Sequence, residues 1–253
     1  MNGVNAPYTN VSSRYYRLRV LNGSTARVYN LAFSNNSSFH VIGADGGLLG
    51  SPQTVNTLML APGERVDILV DFSSYAVGTE IYLQSNTFSG GSVQGTETFK
   101  IMKFKVDKSE TDTFSLPASL STITSISSSS AVKTRTFDIS GGMSMNNMNG
   151  GMMSGTGTMS MHTINGKSYD INRVDETVSA GTTEIWVFDN SAGDEMHPMH
   201  IHGVQFQVLD RTGGRGSLIA SELGWKDTVL IMPNEKVRMI MMFPLDKGKF
   251  VFH

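Results

Sequence analysis

PGERVDILVDF at residues 62–72 returns, altered but recognisable, as PNEKVRMIMMF at residues 233–243. Each copy opens on a Pro-x-Glu turn and runs into a segment where apolar and polar side chains alternate. Period-two alternation bounded by turn residues is the mark of a half-buried strand. Working outward from the first copy, RYYRLRVLNGSTARVYNLAF (14–33) reads as two strands about an Asn-Gly turn, with Tyr16, Leu18 and Val20 on one face. FHVIGADGGLL (39–49), EIYLQSN (80–86) and TFKIMKFKV (98–106) extend the series. Around the second copy lie KTRTFDIS (133–140), HTINGKSYD (162–170), TTEIWVFDN (182–190), HPMHIHGVQFQVLD (197–210), DTVLIM (227–232) and GKFVFH (248–253). Many short strands with hardly a helical period among them predict an all-β chain of Greek-key sandwiches. The internal repeat predicts two related ones.

SLPASLSTITSISSSSAV (115–132) separates the two series and, rich in Ser and Thr, reads as a linker. The expected units are therefore residues 1–114, the linker 115–132, and residues 133–253 with a Met-rich loop at 141–161.

Composition narrows the function. Hydrophobic residues make up 39% of 253, enough for real cores, whereas charged residues are 17%, with Gly, Ser, Thr and Asn filling the difference. A net charge of −2 and the lack of a Lys/Arg stripe argue against nucleic-acid binding. No apolar run approaches the roughly 20 residues of a membrane helix. With no cysteine there is no disulfide, thiolate zinc site or cysteine nucleophile in the chain. The start, MNGVNAPYTN, has neither the basic nor the apolar region of a signal peptide.

The chemistry concentrates at 197–202. Three of six histidines, His197, His200 and His202, fall within six positions and are followed by Gly203. On an extended segment His200 and His202 share a face, about 6.6 Å apart along the backbone, while His197 has the opposite parity. Crowded imidazoles gain little unless something coordinates them, so the pattern points to metal on both flanks of one strand. Loop residues Met143, Met145, Met148, Met152, Met153, Met159 and Met161 sit among Gly, Asn, Ser and Thr without a hydrophobic period. They are either a mobile insertion or a thioether patch suited to Cu(I). Asp194 and Glu195 are either an acidic rim for a cationic substrate or an ordinary polar turn. His40 reads as structural, and His162 as a solvated loop residue or an added ligand.

HPMHIHGVQFQVL (197–209), GWKDTVLIMPNEKVRMIMMF (224–243) and GKFVFH closely resemble the last cupredoxin domain of multicopper oxidases, the laccase and cuprous-oxidase family. RYYRLRVLNGSTARVYNLAF, IGADGGLL (42–49) and LAPGERVDILVDF (60–72) resemble that family's middle domain, and the Met-rich insertion resembles that of bacterial cuprous oxidases. The resemblance implies two cupredoxin-like Greek-key β-sandwich domains. It implies copper as cofactor, a type 1 site plus a trinuclear cluster, and a phenolic or metal-ion substrate with O2 as the final acceptor. Under it His197 is a type 1 ligand, His200 a type 2 ligand, and His202 and His253 type 3 ligands. Trp225, Lys226 and Asp227 would support the loop near the type 1 centre, with Asp227 also positioned to touch a ligand or substrate. An extracytoplasmic location is the family's implication too.

The departures are specific. The cysteine expected after His253 and the family's N-terminal cupredoxin domain, or another chain supplying its histidines, lie outside these residues. The expectation is a fragment that is inactive alone. The alternatives are a copper-free scaffold acting through protein contacts and a Cu(I)-binding module. Lacking a thiolate, the chain should show no intense absorption with Cu(II) near ~600 nm, and a strong band there would overturn the site assignment.

Overall fold

The computed structural model describes residues 1–90, 94–141 and 162–253. The first unit pairs two sheets. One contains β1 (Tyr8–Ser12), β9 (Phe99–Lys108), β8 (Glu80–Ser85), β3 (Tyr29–Phe33) and β6 (Thr57–Leu60), in that order. The other contains β2 (Tyr15–Leu21), β7 (Arg65–Asp71), β4 (Phe39–Ala44) and β5 (Gly47–Val55). In β7 Val66, Ile68 and Val70 turn inward and face Val20, Leu18 and Tyr16 of β2. With Phe33, Phe39, Phe72 and Phe104 they form one core between the sheets. β1 joins β9 in parallel, whereas the other pairings within this unit are antiparallel.

The second unit repeats the plan. Its larger sheet runs β11 (Thr163–Ile164), β10 (Ala131–Ser140), β12 (Thr183–Asn190), β17 (Glu235–Met242), β14 (Phe206–Gly213) and β15 (Trp225–Lys226). A separate two-stranded sheet holds β13 (His197–His200) against β16 (Thr228–Ile231). Phe137, Trp186, Phe188, Met199, Ile201 and Met239 are among the side chains buried between them. The architecture is thus all-β, with two Greek-key sandwiches.

Three sequence expectations change in detail. HPMHIHGVQFQVLD is not one strand: β13 ends at His200, Ile201 makes a single bridge to Phe252, and β14 starts only at Phe206 in the other sheet. The break follows from Gly203, whose φ of +75° turns the chain and whose missing Cβ leaves room for the Phe250 ring. HTINGKSYD keeps only the two residues of β11, because Asn165 and Gly166 adopt positive φ and close a turn. Finally, the Ser/Thr-rich linker is strapped down. Leu120 N–H donates to Gly50 O, and the Gln207 side chain both donates to Thr124 O and accepts from Ile126 N–H.

The repeated turn explains itself. Gly63 and Asn234 both take positive φ after proline, the requirement of a type II turn. The glutamate that follows accepts the backbone N–H of the residue before the proline: Glu64 from Ala61 at 2.7 Å and Glu235 from Met232 at 3.0 Å. Both carboxylates are fully buried, and each finds a cation. Glu235 meets Arg211 and Arg215 within its own unit. Glu64 meets Lys226 of the second unit at 3.0 Å, and Lys226 reaches Asp45 at 2.9 Å, with all three side chains excluded from solvent.

This ion cluster lies in the seam between the units. Beside it Gly46 N–H donates to Trp225 O at 2.9 Å, an approach that a Cβ on Gly46 would block, being 2.4 Å from the Trp225 Cβ. Val28 and Ala61 of the first unit pack with Leu230 and Met232 of the second.

Lys226→Met strands two carboxylates in that dry seam. Equilibrium denaturation should show a loss of about 3–5 kcal/mol, the range for one partner removed from a buried pair, and an unchanged midpoint would refute the structural role. Glu235 gives a pH dependence. Burial pushes its carboxyl up, but the Arg215 hydrogen bond and charge, the Met232 N–H and Arg211 outweigh that and hold it at about 2, below the ordinary 4.5. Its stabilisation is complete above pH 4.5 and is lost as pH falls toward about 2. Urea midpoints followed through that window should fall less steeply in Glu235→Gln.

Candidate metal centre

β13 is short and half-buried, and its alternation sorts the histidines. Met199 and Ile201 point into the core, so His200 and His202 project the other way, and His197 lies on the face of Met199. The His200 and His202 rings sit 4.6 Å apart between centroids. The C-terminal segment brings the third ring. His200 and His253 exchange both backbone hydrogen bonds, N–H to O at 2.7 and 3.0 Å, and His202 N–H donates to Val251 O at 3.0 Å. The His253 ring lies 5.6 Å from that of His200 and 5.5 Å from that of His202. Phe252, on the opposite face, packs on Phe137 and Trp186 and anchors the segment to the core.

The nitrogens are specifically disposed. His200 Nδ1 is 2.8 Å from Asp227 O, which can only accept, so this nitrogen carries a proton and, in the neutral ring, Nε2 has the lone pair. The Nε2 atoms of His202 and His253 stand 3.3 Å apart. Two nitrogens bound at about 2.0–2.1 Å to one tetrahedral ion are about 3.3 Å from each other. Burial pushes the His253 imidazole down, reinforced by His200 and His202, which keeps it neutral and ready to ligate.

His197 stands apart. Its Nε2 is buried and has no hydrogen-bond partner among the described residues. Such a group is costly unless something else occupies it. Burial first, then the His162 charge, lower its pKa, against the opposing pull of Glu195 and Asp194. His162 stacks edge-on to it at 5.6 Å, and its Nε2 lies 4.0 Å from Glu195. His162, read from sequence as a solvated loop residue or an added ligand, is therefore His197's neighbour. Asp194 is exposed and Glu195 half-buried beside this pair. His40 is elsewhere, its Nδ1 2.9 Å from the Thr54 hydroxyl. Met143, Met145, Met148, Met152, Met153, Met159 and Met161 all lie outside the described residues.

Trp225, Lys226 and Asp227 serve the His200 end of β13, not the His197 end as sequence suggested. The antiparallel register sets His200 opposite Thr228 and His197 opposite Ile231, so the GWKDTV segment can reach only the former. Sequence reasoning also missed Arg65, whose guanidinium grips both oxygens of Asp227 at 2.7 and 2.6 Å. Burial pushes the Asp227 carboxyl up, but Arg65, Thr228 and His200 hold it below its ordinary value. Spacing offered no signal for a contact between residues so far apart in the chain.

A test of fit comes from the repeat. In the first unit Tyr29 pairs with Leu60, two residues before Pro62, as His197 pairs with Ile231, two before Pro233. Tyr29, Ala32 and Ser34 therefore occupy the places of His197, His200 and His202. The same backbone forms without imidazoles, so the fold does not require them. The orphaned His197 Nε2, the close Nε2 pair and the oriented His200 ring all fit metal ligation. Among the described residues no three His, Cys, Asp or Glu side chains converge enough to hold an ion unaided.

Comparison with known proteins agrees. Family models described as multicopper oxidase match residues 5–110 and 136–253. A laccase of Bacillus subtilis is 34% identical across 100% of this chain and 50% of its own length. The cell division protein FtsP of Shigella dysenteriae is 32% identical, covering 96% of this chain and 47% of itself. The crystal structure of the McoA multicopper oxidase from Aquifex aeolicus superposes with a TM-score of 0.80 at 36% identity, over 98% of this chain and 53% of that one. The chain spans about half the length of the curated relatives it matches. It belongs to the multicopper oxidase family, built on the cupredoxin fold and using copper as cofactor.

Proposed function

We propose that this chain forms the middle and C-terminal domains of a copper-dependent oxidase that takes single electrons from a phenolic or metal-ion substrate and reduces O2 to water. The observation that carries the reading is the His202–His253 pair, whose Nε2 atoms are spaced at 3.3 Å as ligands of one ion would be. Copper, when bound, supplies one-electron redox chemistry at two separated centres. His200, His202 and His253 are the oxygen-side ligands, with His200 offering Nε2 because Nδ1 is occupied by Asp227 O. His197, on the opposite face, is the electron-entry ligand. Its partly buried ring, with His162 at its edge, sits where a substrate electron would enter.

Glu195 and Asp194 give that entrance a negative rim and favour a cationic or metal-ion substrate. The seven loop methionines suit Cu(I) by their thioether chemistry. The oxygen side is one wall of a larger site, whose other histidines come from an N-terminal cupredoxin domain or another chain. The 253 residues alone are therefore inactive toward O2. The working protein is assigned outside the cytoplasm by family resemblance. Among the described residues no helix is long and apolar enough to cross a membrane.

A scaffold acting through protein contacts is the second reading, and its support is the 32% identity to a relative named as a cell division protein. The retained histidines weigh against it, since the strand pair that carries Tyr29, Ala32 and Ser34 forms without them.

Anaerobic copper titration of the purified chain separates these readings. His202→Ala and His253→Ala should each weaken binding about tenfold or more, at least the worth of a group supporting a ligand, with circular dichroism unchanged. Equal uptake by wild type and both variants would leave the scaffold reading standing. Deleting residues 142–161 tests the methionines, and unchanged Cu(I) uptake would remove them from the site.

A further inference from the structure

His200 belongs to the second unit, yet the groups that fix its chemical state are held by the first. Its Nδ1 meets two oxygens, Asp227 O at 2.8 Å and the Thr228 hydroxyl at 3.0 Å. The hydroxyl could serve as donor or acceptor toward that nitrogen, and only as an acceptor does it favour the same tautomer as the carbonyl. The surroundings make the choice. Thr228 Oγ1 donates its proton to Asp227 Oδ1 at 2.8 Å and so turns a lone pair toward Nδ1. That donation requires the Asp227 carboxylate to stay where it is, and Arg65 keeps it there. Nη1 donates to Oδ1 at 2.7 Å and Nη2 to Oδ2 at 2.6 Å, a two-pronged grip that a planar guanidinium makes and an ammonium cannot.

Arg65 is itself fixed. Its guanidinium donates to Gly63 O at 3.1 Å and Asp45 O at 3.2 Å, both in the first unit. Asp45, with no exposed side-chain surface, adds a second hold from that side. Its Oδ2 accepts from Asp227 N–H and Thr228 N–H, each at 3.3 Å. The peptide that supplies the carbonyl to His200 is thus gripped from across the seam by its side chain and its amides together. Proton direction runs one way along this path. Arg65 donates to Asp227, Thr228 donates to Asp227, and His200 donates to Thr228 and the carbonyl.

We propose that Arg65 is a positioning residue for the His200 ligand, acting through Asp227 and Thr228 to commit the His200 Nδ1 proton and leave Nε2 free for metal. The inference rests on the reading of His200 as a copper ligand. It gives the first unit a task in the metal chemistry, although its own strand pair carries Tyr29, Ala32 and Ser34 at the corresponding places. Without the fork the carboxylate is free to rotate, the Thr228 hydroxyl is released to donate toward the ring, and the single orientation is lost.

The test uses the full chain, 15N-labelled at histidine and metal-free, at alkaline pH where imidazoles are neutral. Long-range 1H–15N spectra are compared for wild type, Arg65→Met and Arg65→Lys. Wild-type His200 should be a single Nδ1–H form. In Arg65→Met its ring signals should split or broaden with Nε2–H character appearing, and Arg65→Lys, which keeps the charge without the fork, should fall between. His202 and His253, whose rings do not touch Arg65, should keep their wild-type signals in both variants. Cu(II) titration of the same samples, followed by loss of the His200 signals, should need about 10–100-fold more copper in Arg65→Met, the usual cost of losing a supporting group.

Unchanged His200 signals in Arg65→Met overturn the proposal, and so do three rings that shift together, which marks a general loss of structure. If Arg65→Met does not fold, Arg65→Lys decides, and a wild-type His200 spectrum there overturns it equally. The two readings fail separately. A His200 released by the variants but indifferent to Cu(II) in every sample sinks the copper assignment and supports the positioning role. A His200 that stays locked and meets Cu(II) alike in all three proteins does the reverse.

Discussion

The placement of the candidate site depends on one buried ammonium. Lys226 sits between Asp45 and Glu64 where no water reaches, and it is the residue immediately before Asp227. A charge is tolerated in such a place only when well-placed opposite charges surround it, and here they come from the other unit. The pairing therefore specifies which faces of the two sandwiches meet, more sharply than the apolar contact of Val28 and Ala61 with Leu230 and Met232 does alone. Because β15 and β16 bracket Asp227, fixing Lys226 fixes the strand against which the histidines are aligned.

The repeated turn shows how one framework came to serve two ends. In both units a buried glutamate ties the Pro-x-Glu turn to the preceding strand, and in both the cation it attracts lies away from the turn itself. In the second unit the cations are Arg211 and Arg215, so that sandwich closes its own polar account internally. In the first the cation is Lys226, so the corresponding glutamate becomes a docking point. The corresponding strand pairs diverge as well: tyrosine, alanine and serine in one, three imidazoles in the other. Division of labour between near copies is visible in a handful of side chains.

Much of this was legible from residue order, and the limits have physical causes. Alternation gave the strands of both sandwiches, because a sheet with one buried face imposes a period of two. The parity of His197 against His200 and His202 followed from the same rule, and the structure keeps it through residue 202. The length of that strand was not legible, since Gly203 turns the chain where Phe250, far along the sequence, packs against it. HTINGKSYD looked extended by composition, yet Asn165 and Gly166 close it after two residues. The linker reads as polar and unpacked, and only its distant partners, Gly50 and the Gln207 side chain among them, reveal that it is held down. Arg65 and Asp45 could not be found, nor could the burial of Lys226 between two carboxylates, because charged side chains are ordinarily solvated and nothing local marks these as partners. His162 gave no hint of its neighbour either, because ring proximity across a loop leaves no trace in spacing.

The reciprocal main-chain bonds between His200 and His253 have one more effect. Ladder pairing, together with Phe252 packed on Phe137 and Trp186, sets the address of these rings, so the wall they form is in place without an ion. An incoming ion meets donors already assembled and has little chain left to order, which keeps the entropic penalty of coordination small. Such a wall behaves like a machined socket, shaped in advance for its plug, and differs in kind from the small metal-binding domains that fold only when their ion is present.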